Sequence, residues 1–466
     1  MYDIIVLGSG ISSACFLDSL KIKKRKIGVI SFKNNLSKNI EKDIYYNLKS
    51  LEKNLPPRFI KNKKNFSRVV EYFANNKINF SKDTSIFGIL DHGGVSNYWG
   101  SSCQFLLKKD IKFLNKYNQK QLIYSFNKIY KKFHFSGSYN NESKKIKKKK
   151  LNKTYNELIK YCSNDNVFFY ENCTAEDLKN KTPFLPKNIN NKLKDKFKFL
   201  NLYVDKICKN KNYYLLICKN GKNKVIIKTK KLVLASGTIS STRLICDMLN
   251  HTKKIYLDHN PMLFGVFLTK KTLAKEKFSA SKIAAEIYSK KYRKYLTANF
   301  RGSNNIIKNK IFNNYFLMKN FLSDKMYNII SNKLFFVNLY LDSYFGNLIF
   351  KMSNNKKIYI FTDRKKLKRI KKELLNSFKL IYKILRNNKI VEPIKHQIIP
   401  KMGNDSHYTG TIPINGKNKK LSLKENCELI NHKNLFIIDG CSIPKNPLKF
   451  PTGLIMANAY RIGNKF

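Results

Sequence analysis

Hydrophobic and polar positions near the start of the chain follow the order strand, turn, helix, strand. A short apolar run, Tyr2–Leu7, ends at a glycine turn, a helical pattern follows at Ile11–Leu20, and a second apolar run covers Lys26–Phe32. Short apolar runs bounded by turn residues are typical of buried strands. The pattern therefore predicts that the chain opens with a βαβ unit.

From residue 197 onward the pattern is mainly that of strands. Apolar runs predict strands at 199–204, 213–218, 225–227, 232–234, 264–268, 282–287, 335–341, 358–361 and 434–438. Apolar residues then recur at three- and four-residue spacing after Thr362 or Asp363, which predicts a capped amphipathic helix over 363–387. Thr452–Ile462 is predicted as a last helix.

Two stretches of the N-terminal half are more polar. Residues 34–85 are mixed and loop-rich, whereas 108–160 have helical periodicity in places. A run of lysines within 108–160 predicts a flexible basic loop at 137–150. We therefore expect a helical excursion in this part of the chain.

The length and charge of the chain restrict its class. A chain of 466 residues with 42% hydrophobic residues predicts a folded enzyme-sized body of two or three domains, or one interleaved pair. Lys and Arg number 92 against 30 Asp and Glu, a net charge of +62. Three interpretations stay open: nucleic-acid binding, peripheral contact with anionic membranes, and compositional drift toward residues with A/T-rich codons. The even spread of lysine favours drift, so no nucleic-acid partner is expected.

Cysteine usage and hydropathy bear on location. Nine scattered cysteines form no C-x-x-C pair, which predicts neither a metal site nor a disulfide framework. Reduced thiols fit a cytoplasmic protein. The first strand begins within a few residues, so we expect no secretory signal, and no apolar run approaches the roughly 20 residues of a membrane helix.

The turn after the first strand has the composition of a dinucleotide-binding turn. Gly8 permits a tight turn, Gly10 lets a pyrophosphate approach the backbone, and the helix that follows supplies free N–H groups at its N-terminus. Ser12 and Ser13 complete the turn, and Ser13 stands where Gly or Ala is usual. A glycine turn without a ligand is the alternative.

The residue expected to hold the ribose departs from the usual pattern. An acidic residue normally ends the second strand, and Ser31 occupies that place. A hydroxyl cannot hold two ribose hydroxyls as a carboxylate does. Because no acid repels a 2′-phosphate and Lys33 is nearby, a nicotinamide cofactor stays open.

The C-terminal segment carries the most specific motif. A strand-like run, Asn434–Ile438, ends in Asp439-Gly440, passes through a proline-containing loop and enters the last predicted helix. This segment resembles the glucose–methanol–choline (GMC) oxidoreductases, FAD enzymes in which such a loop crosses the flavin. Three further segments resemble motifs of that family, in the family's order: His92–Gly100, Leu232–Leu244 and Leu257–His259.

The resemblance implies FAD as the cofactor and a defined set of binding residues. The expected cofactor-binding residues include those of the opening turn and of the second strand. They are Gly8, Gly10, Ser12, Ser13, Ser31, Gly93, Gly94, Ser96, Asn97, Trp99, Val204, Ala235, Gly237, Asp439, Gly440, Pro451 and Thr452.

His407 is the candidate catalytic residue. It lies in Ser406–Thr411, which resembles the family motif H-x-x-G-T. Imidazole, with a pKa of about 6.5, can take the hydroxyl proton while the hydride of the alcohol goes to flavin N5. Phe450 falls where the family usually has a second His or Asn. Either His407 acts alone, Thr452 substitutes, or the reaction differs from ordinary alcohol oxidation.

The resemblance implies an α/β fold in which a Rossmann-like FAD domain is interleaved with an α+β substrate domain. The expected boundaries are 1–110, 196–263 and 405–466 for the FAD domain, 111–195 for a helical, basic insertion, and 264–404 for the substrate domain. The implied function is oxidation of an alcohol, polyol or sugar-type substrate, with an unknown electron acceptor. Two alternatives remain: a flavin- or NAD(P)-binding protein with lost or altered chemistry, and a basic protein that binds nucleic acid or membrane surfaces.

Overall fold

The computed structural model describes residues 1–21, 25–32, 63–98, 102–103, 108–133, 135, 153–163, 167–177, 182–221, 223–273, 283–289, 294–302, 324–346, 348–448 and 450–466. Trp99, Lys33 and the loop predicted at 137–150 lie outside these residues. The helices within them are α1 (Ile11–Ser19), α2 (Lys63–Asn75), α3 (Lys116–Lys132), α4 (Lys153–Tyr161), α5 (Pro186–Leu193), α6 (Thr238–Met248), α7 (Asp324–Lys333), α8 (Arg364–Asn387) and α9 (Thr452–Gly463).

The strands are distributed along the whole chain. They are β1 (Tyr2–Leu7), β2 (Ile27–Ile30), β3 (Ile78–Phe80), β4 (Val167–Glu171), β5 (Glu176–Asp177), β6 (Thr182–Pro183), β7 (Lys198–Leu200), β8 (Tyr203–Lys209), β9 (Tyr214–Asn220), β10 (Asn223–Leu234), β11 (Ile255–Leu257), β12 (Met262–Thr269), β13 (Ile283–Ser289), β14 (Lys294–Gly302), β15 (Leu334–Tyr340), β16 (Leu348–Met352), β17 (Ile358–Thr362), β18 (Val391–Ile398) and β19 (Leu435–Ile437).

The first sheet contains the βαβ unit predicted from the N-terminal pattern. Within the described residues its strand order is β7-β2-β1-β10-β9-β8, and β19 pairs with the C-terminal half of β10. The pairs β2–β7, β1–β2, β1–β10 and β10–β19 are parallel, whereas β8, β9 and β10 form an antiparallel meander. Helices α1 and α9 pack against each other beside this sheet. Segments far apart in sequence therefore build one Rossmann-like domain.

The second large sheet is antiparallel, and it contains the strands predicted at 264–268, 282–287 and 335–341. Its order in the described part of the chain is β18-β12-β15-β14-β13-β4. Helix α8 packs on one face, where the Phe378 ring stacks on Phe267 of β12 with ring centroids 5.1 Å apart. Val337 of β15 pairs with Gly265 and lies on the face of α8. Tyr340, three residues further along β15, lies on the opposite face, because successive residues of a strand alternate between faces.

Three secondary-structure predictions are corrected. The run predicted as one strand at 199–204 is two strands, β7 and β8, since the chain turns where Leu202 N–H donates to Leu200 O. The runs at 225–227 and 232–234 are one continuous strand, β10. The segment 111–195 is not only helical, because β4 belongs to the antiparallel sheet.

A smaller sheet combines strands from the segments assigned to the two domains. Strands β3 and β11 come from the segments assigned to the FAD domain, and they pair with β17 and β16 in the order β11-β16-β17-β3. Among the described residues, no helix is long and apolar enough to cross a membrane.

Candidate functional site

The carboxyl ends of β1 and β10 meet at Gly8. Gly8 has φ +110°, a left-handed conformation, and a Cβ there would lie 2.2 Å from the carbonyl oxygen of Ala235. Ala235 in turn donates its N–H to Leu7 O at 2.8 Å. Glycine is therefore required at position 8 by the packing of the two strands themselves.

Gly10 is under no such constraint from the protein. It is the N-cap of α1 with φ −71°, a backbone that any residue adopts, and no atom outside its neighbours lies nearer to its Cβ position than 3.7 Å. Gly10 has no side chain to cap this helix end, and Ile11 N–H instead donates to Ser96 Oγ at 3.2 Å. The space beside Gly10 and the N-terminus of α1 are therefore suited to an anionic group such as a pyrophosphate.

Ser12 and Ser13 lie inside α1 and are both buried. Among the described residues, Ser13 Oγ has no hydrogen-bond partner. Its small size, and not its hydroxyl, allows the helix to pack closely on the sheet, as Gly or Ala does elsewhere.

Ser31 is part of a chain of hydrogen bonds at the end of β2. Its Oγ lies 2.5 Å from Ser9 Oγ and 2.7 Å from His92 Nδ1. Ser9 Oγ accepts from Gly93 N–H at 2.9 Å. The place that usually holds a ribose-binding carboxylate is thus occupied by a hydroxyl and an imidazole, both of which can donate as well as accept.

The segment after His92 runs close to the opening turn. Gly93 and Gly94 both have positive φ, +92° and +55°, and nothing lies within 4 Å of a Cβ at Gly94. Asn97 Nδ2 donates to His92 O at 2.6 Å, while Arg68 and Asp91 form an ion pair at 2.8 Å that attaches this loop to α2. Trp99 lies beyond the described residues, so its expected role stays a prediction.

Asp439 connects the last strand to the turn after β10. Its Oδ2 accepts from Gly237 N–H at 3.0 Å and from Ser241 Oγ at 2.5 Å, and its Oδ1 accepts from Cys441 N–H at 3.1 Å. Burial raises the pKa of Asp439, and these hydrogen bonds oppose that effect. Gly237, with φ +87° and no atom within 4 Å of its Cβ position, faces open space at the same edge of the sheet.

The remaining expected cofactor residues lie around this edge. A Cβ at Gly440 would lie 2.3 Å from Thr238 Oγ1, so the Asp439-Gly440 turn packs tightly on α6. Pro451 O accepts from Ile455 N–H at 2.8 Å, and Pro451 and Thr452 begin α9. Val204 O accepts from Arg243 Nη2 at 2.9 Å, which ties β8 to α6.

His407 lies on the loop between β18 and β19, in an aromatic and acidic setting. Its ring centroid is 4.7 Å from that of Phe450 and 6.4 Å from that of Tyr340. Its Nδ1 is 3.7 Å from Asp405 Oδ2, and its side chain is 23% exposed whereas Asp405 is fully enclosed. Because Nδ1 faces Asp405, Nε2 is the ring nitrogen left to meet a substrate.

A second histidine contacts the same carboxylate. His259 Nδ1 lies 3.4 Å from Asp405 Oδ1, and neither side chain is exposed. Both imidazole contacts are longer than normal hydrogen bonds, and among the described residues neither His259 Nδ1 nor Asp405 Oδ1 has a hydrogen-bond partner. Burial raises the pKa of Asp405, but the interactions with His259 and His407 outweigh it, so its pKa lies below the usual value.

Backbone contacts hold the loop of His407. Asp258 and Thr409 exchange two backbone hydrogen bonds, of 2.9 and 3.0 Å. Asn446 donates its Nδ2 to His407 O at 2.6 Å and its N–H to Asp258 Oδ2 at 2.7 Å. Beside Asp258 lies a cavity of about 230 Å³.

Three residues of this arrangement were missed in the sequence. Asp405 is separated from His407 by one residue, and in the sequence this spacing alone is a weak signal of a contact. The two side chains can meet because Ser406 between them has a left-handed backbone, with φ +62°. His259 lies in a segment that resembles the family's Asp-His, but no role was expected for it. His92 begins the His92–Gly100 motif, but no hydrogen bond with Ser31 was expected for it.

Comparisons with known proteins agree with the fold. No protein-family model and no curated protein sequence matches the chain. Among solved structures, pyridoxine 4-oxidase from Mesorbium loti matches with a TM-score of 0.63 over 100% of this chain and 99% of that chain, at 10% sequence identity. At this identity the likeness shows the fold alone. The chain therefore has the predicted α/β fold, a Rossmann-like domain of discontinuous segments with an inserted α+β domain.

Proposed function

We propose that this chain is an FAD-dependent oxidoreductase that oxidises a hydroxyl group of a small alcohol, polyol or sugar-type substrate to a carbonyl. The observation that carries the proposal is Gly10. Neither its backbone nor its protein neighbours require glycine, since a Cβ would lie 3.7 Å from Gly93 O and Ser96 Oγ, and Gly10 begins α1 with no side chain of its own to cap the helix. The GMC-like motifs and the fold shared with an oxidase support the same conclusion.

The residues present fit FAD. Gly10 and the N–H groups of α1 would hold the pyrophosphate, Ser31 and His92 would meet the ribose, and the segments containing Gly93 and Gly237 would border the rest of the cofactor. When bound, FAD would supply the acceptor for the hydride of the substrate. The positive-φ glycines leave room for it, because nothing in the described residues occupies the space beside Gly94 or Gly237.

His407 would remove the proton of the substrate hydroxyl. Its Nε2 can accept that proton if Nδ1 keeps its own proton toward Asp405. Phe450 cannot hydrogen-bond a substrate, but its ring packs against the imidazole and restricts its orientation. His407 is therefore the one acid–base group of the proposed reaction, and Phe450 shapes the apolar wall beside it.

The cofactor is tested with Gly10→Ala. The purified protein is expected to show oxidised-flavin absorption near about 450 nm, or to gain it on reconstitution with FAD. Gly10→Ala should weaken FAD binding about tenfold or more, measured by quenching of flavin fluorescence, while the melting temperature without FAD stays unchanged. Loss of stability without FAD would mean that packing explains this glycine, and a colourless protein that cannot be reconstituted would refute FAD binding.

The reaction is tested with His407→Ala. Wild-type protein loaded with FAD is mixed anaerobically with a panel of alcohols, polyols and sugars, and bleaching of the flavin is followed. We expect bleaching with at least one compound and a loss of about 10²- to 10⁴-fold in rate for His407→Ala with the flavin still bound. Equal rates in the two proteins would exclude His407 as the base.

A second candidate is a nicotinamide-dependent protein of the same fold. The hydrogen bond between Ser31 and His92, where an acid is usual, favours it, because no carboxylate would repel a 2′-phosphate. Competition between FAD and NADPH for the same protein separates the two candidates. Tighter binding of NADPH, with no flavin retained, would support this second candidate.

A further inference from the structure

Three titratable side chains from two loops converge beneath the site. Asp405 and His407 belong to the loop between β18 and β19, and His259 follows β11. The antiparallel bridge between Asp258 and Thr409 holds the two segments together. Asp405 Oδ1 faces His259 and its Oδ2 faces His407, so one carboxylate lies between two imidazoles.

The carboxylate has the surroundings of an ionised group. Asp405 Oδ2 also accepts from Asn260 N–H at 3.1 Å. A buried carboxylate stays charged only where donors compensate for the lost water, and here an amide and two imidazoles surround it. The other titratable or charged groups near the three side chains are Asp258, Tyr340 with Arg301 behind it, and Tyr408.

An ionised carboxylate can only accept hydrogen bonds, so an imidazole whose Nδ1 faces it is favoured with the proton on that atom. For His407 this favours the proton on Nδ1 and leaves a lone pair on Nε2. The negative charge also stabilises the imidazolium that forms once Nε2 has taken a proton. His259 is fully buried, and among the described residues neither of its ring nitrogens has a hydrogen-bond partner, while its Nδ1 approaches Asp405 Oδ1 at 3.4 Å.

We propose that Asp405 is the positioning residue of His407. His259, next to the other carboxylate oxygen, keeps Asp405 ionised and oriented toward His407 Nδ1. The proposal rests on the proposed role of His407 as the base. Neither Asp405 nor His259 touches the substrate. They set which nitrogen of His407 carries the proton before a substrate arrives.

The first experiment reads the tautomer directly and needs no substrate. The protein is labelled with ¹⁵N-histidine and loaded with FAD, and the His407 signals are assigned by their loss in His407→Ala. We expect neutral His407 in the Nδ1–H form, and we expect Asp405→Asn to convert it to the Nε2–H form that free imidazole side chains prefer. An Nε2–H form in the wild type, or no change in Asp405→Asn, overturns the proposal even if the protein oxidises alcohols.

The second experiment measures rates with the alcohol that bleaches the flavin fastest. Asp405→Asn should lower the limiting rate about 10- to 100-fold, with the apparent dissociation constant of the alcohol changed less than about threefold. The acid limb of the pH–rate profile should also move about one pH unit lower, because the imidazolium loses its counter-charge. An unchanged rate and pH profile would overturn the proposal.

Two variants separate positioning from folding. His259→Leu removes the imidazole next to Asp405 Oδ1 and should reduce the limiting rate. His259→Gln keeps a hydrogen-bond donor there, so its rate should recover at least half of the reduction seen in His259→Leu. Glu428→Gln is the matched control, because Glu428 is a buried carboxylate that instead contacts Lys424 and Asn434. Equal loss of rate in Glu428→Gln would show that general destabilisation explains the effect and would overturn the proposal. If Asp405→Asn does not fold, the rates of His259→Leu and His259→Gln and the tautomer of His407 in the wild type test the proposal instead.

Discussion

At the scale of single residues, Ser13 has a hydroxyl that its position does not use. It is fully buried in α1, and its Oγ has no partner among the described residues. Burying an unsatisfied hydroxyl costs about 1–3 kcal/mol, so Ser13→Ala should raise the free energy of unfolding of the FAD-free protein by about 1 kcal/mol in urea. Ser125→Ala is the control, since Ser125 Oγ does donate to Gln121 O at 2.8 Å, and it should lose stability. Destabilisation by Ser13→Ala would contradict this account.

Asp258 makes the stability of the protein depend on pH. Burial raises its pKa to about 6 from its usual 3.8, against the opposing hydrogen bond from Asn446. Between pH 3.8 and about 6 the folded state binds more protons here than the unfolded state, so this group lowers stability as pH rises through that window. Asp258→Asn should therefore add about 2 kcal/mol at pH 8 and nothing at pH 4, measured by urea unfolding. An equal effect at both pH values would show that the charge is not responsible.

Only part of the candidate site can be expected from the sequence alone. His407 and the Asp439-Gly440 turn lie in motifs that are local in sequence, so they could be found by reading along the chain. The carboxylate beside His407 could not be assigned a role in this way, because its second contact comes from His259, far away in the sequence. Ser31 was found by its position, but its partner His92 comes from another loop.

At the scale of elements, patterns predicted which residues form strands but not which strands pair. The apolar run at 199–204 is extended throughout, yet a turn sends β7 to the parallel sheet and β8 to the meander. Strand β10 was divided in two because the polar stretch Lys228–Lys231 separates its two apolar runs, although the strand continues through this stretch and Thr229 within it is buried. Periodicity reports exposure, and pairing depends on distant partners.

The contact between α8 and the antiparallel sheet depends on Gly265. A Cβ at this position would lie 2.3 Å from Phe378 and 2.8 Å from Val337. Gly265→Ala should therefore destabilise the protein by about 1–3 kcal/mol, and Phe378→Ala by about 3–5 kcal/mol, in chemical unfolding. Leu380→Ala, on the exposed side of the same helix, should cost less than about 1 kcal/mol.

A double variant tests whether the two residues act through one contact. Gly265→Ala combined with Phe378→Leu should cost less than the sum of the single changes, because the smaller side chain makes room for the new methyl group. Additive losses would mean that Gly265 has another role in β12.

At the scale of the whole molecule, the charge imbalance exceeds what ion pairs can compensate. Acidic side chains do pair with lysines, as in Lys132–Asp18, Lys230–Asp3 and Lys356–Asp247. Even if each of the 30 acidic residues had one partner, 92 − 30 = 62 cations would remain. Like charges that remain close together lower the stability of the folded state, and salt screens them.

The exposed face of α8 is where this repulsion can be measured. Lys368 has Lys365, Lys371 and Lys372 as neighbours three or four residues away, and all four are exposed. Lys368→Glu should raise the free energy of unfolding by about 0.5–1 kcal/mol at low ionic strength, because it replaces repulsion by attraction, with the Glu placed N-terminal to Lys372. Lys368→Gln, which removes a charge without adding one, should gain about half as much. At about 0.5 M salt the three proteins should be equally stable, since the Debye length is then shorter than the spacing between these side chains. A gain that persists at high salt would show that helix propensity, and not charge, explains it.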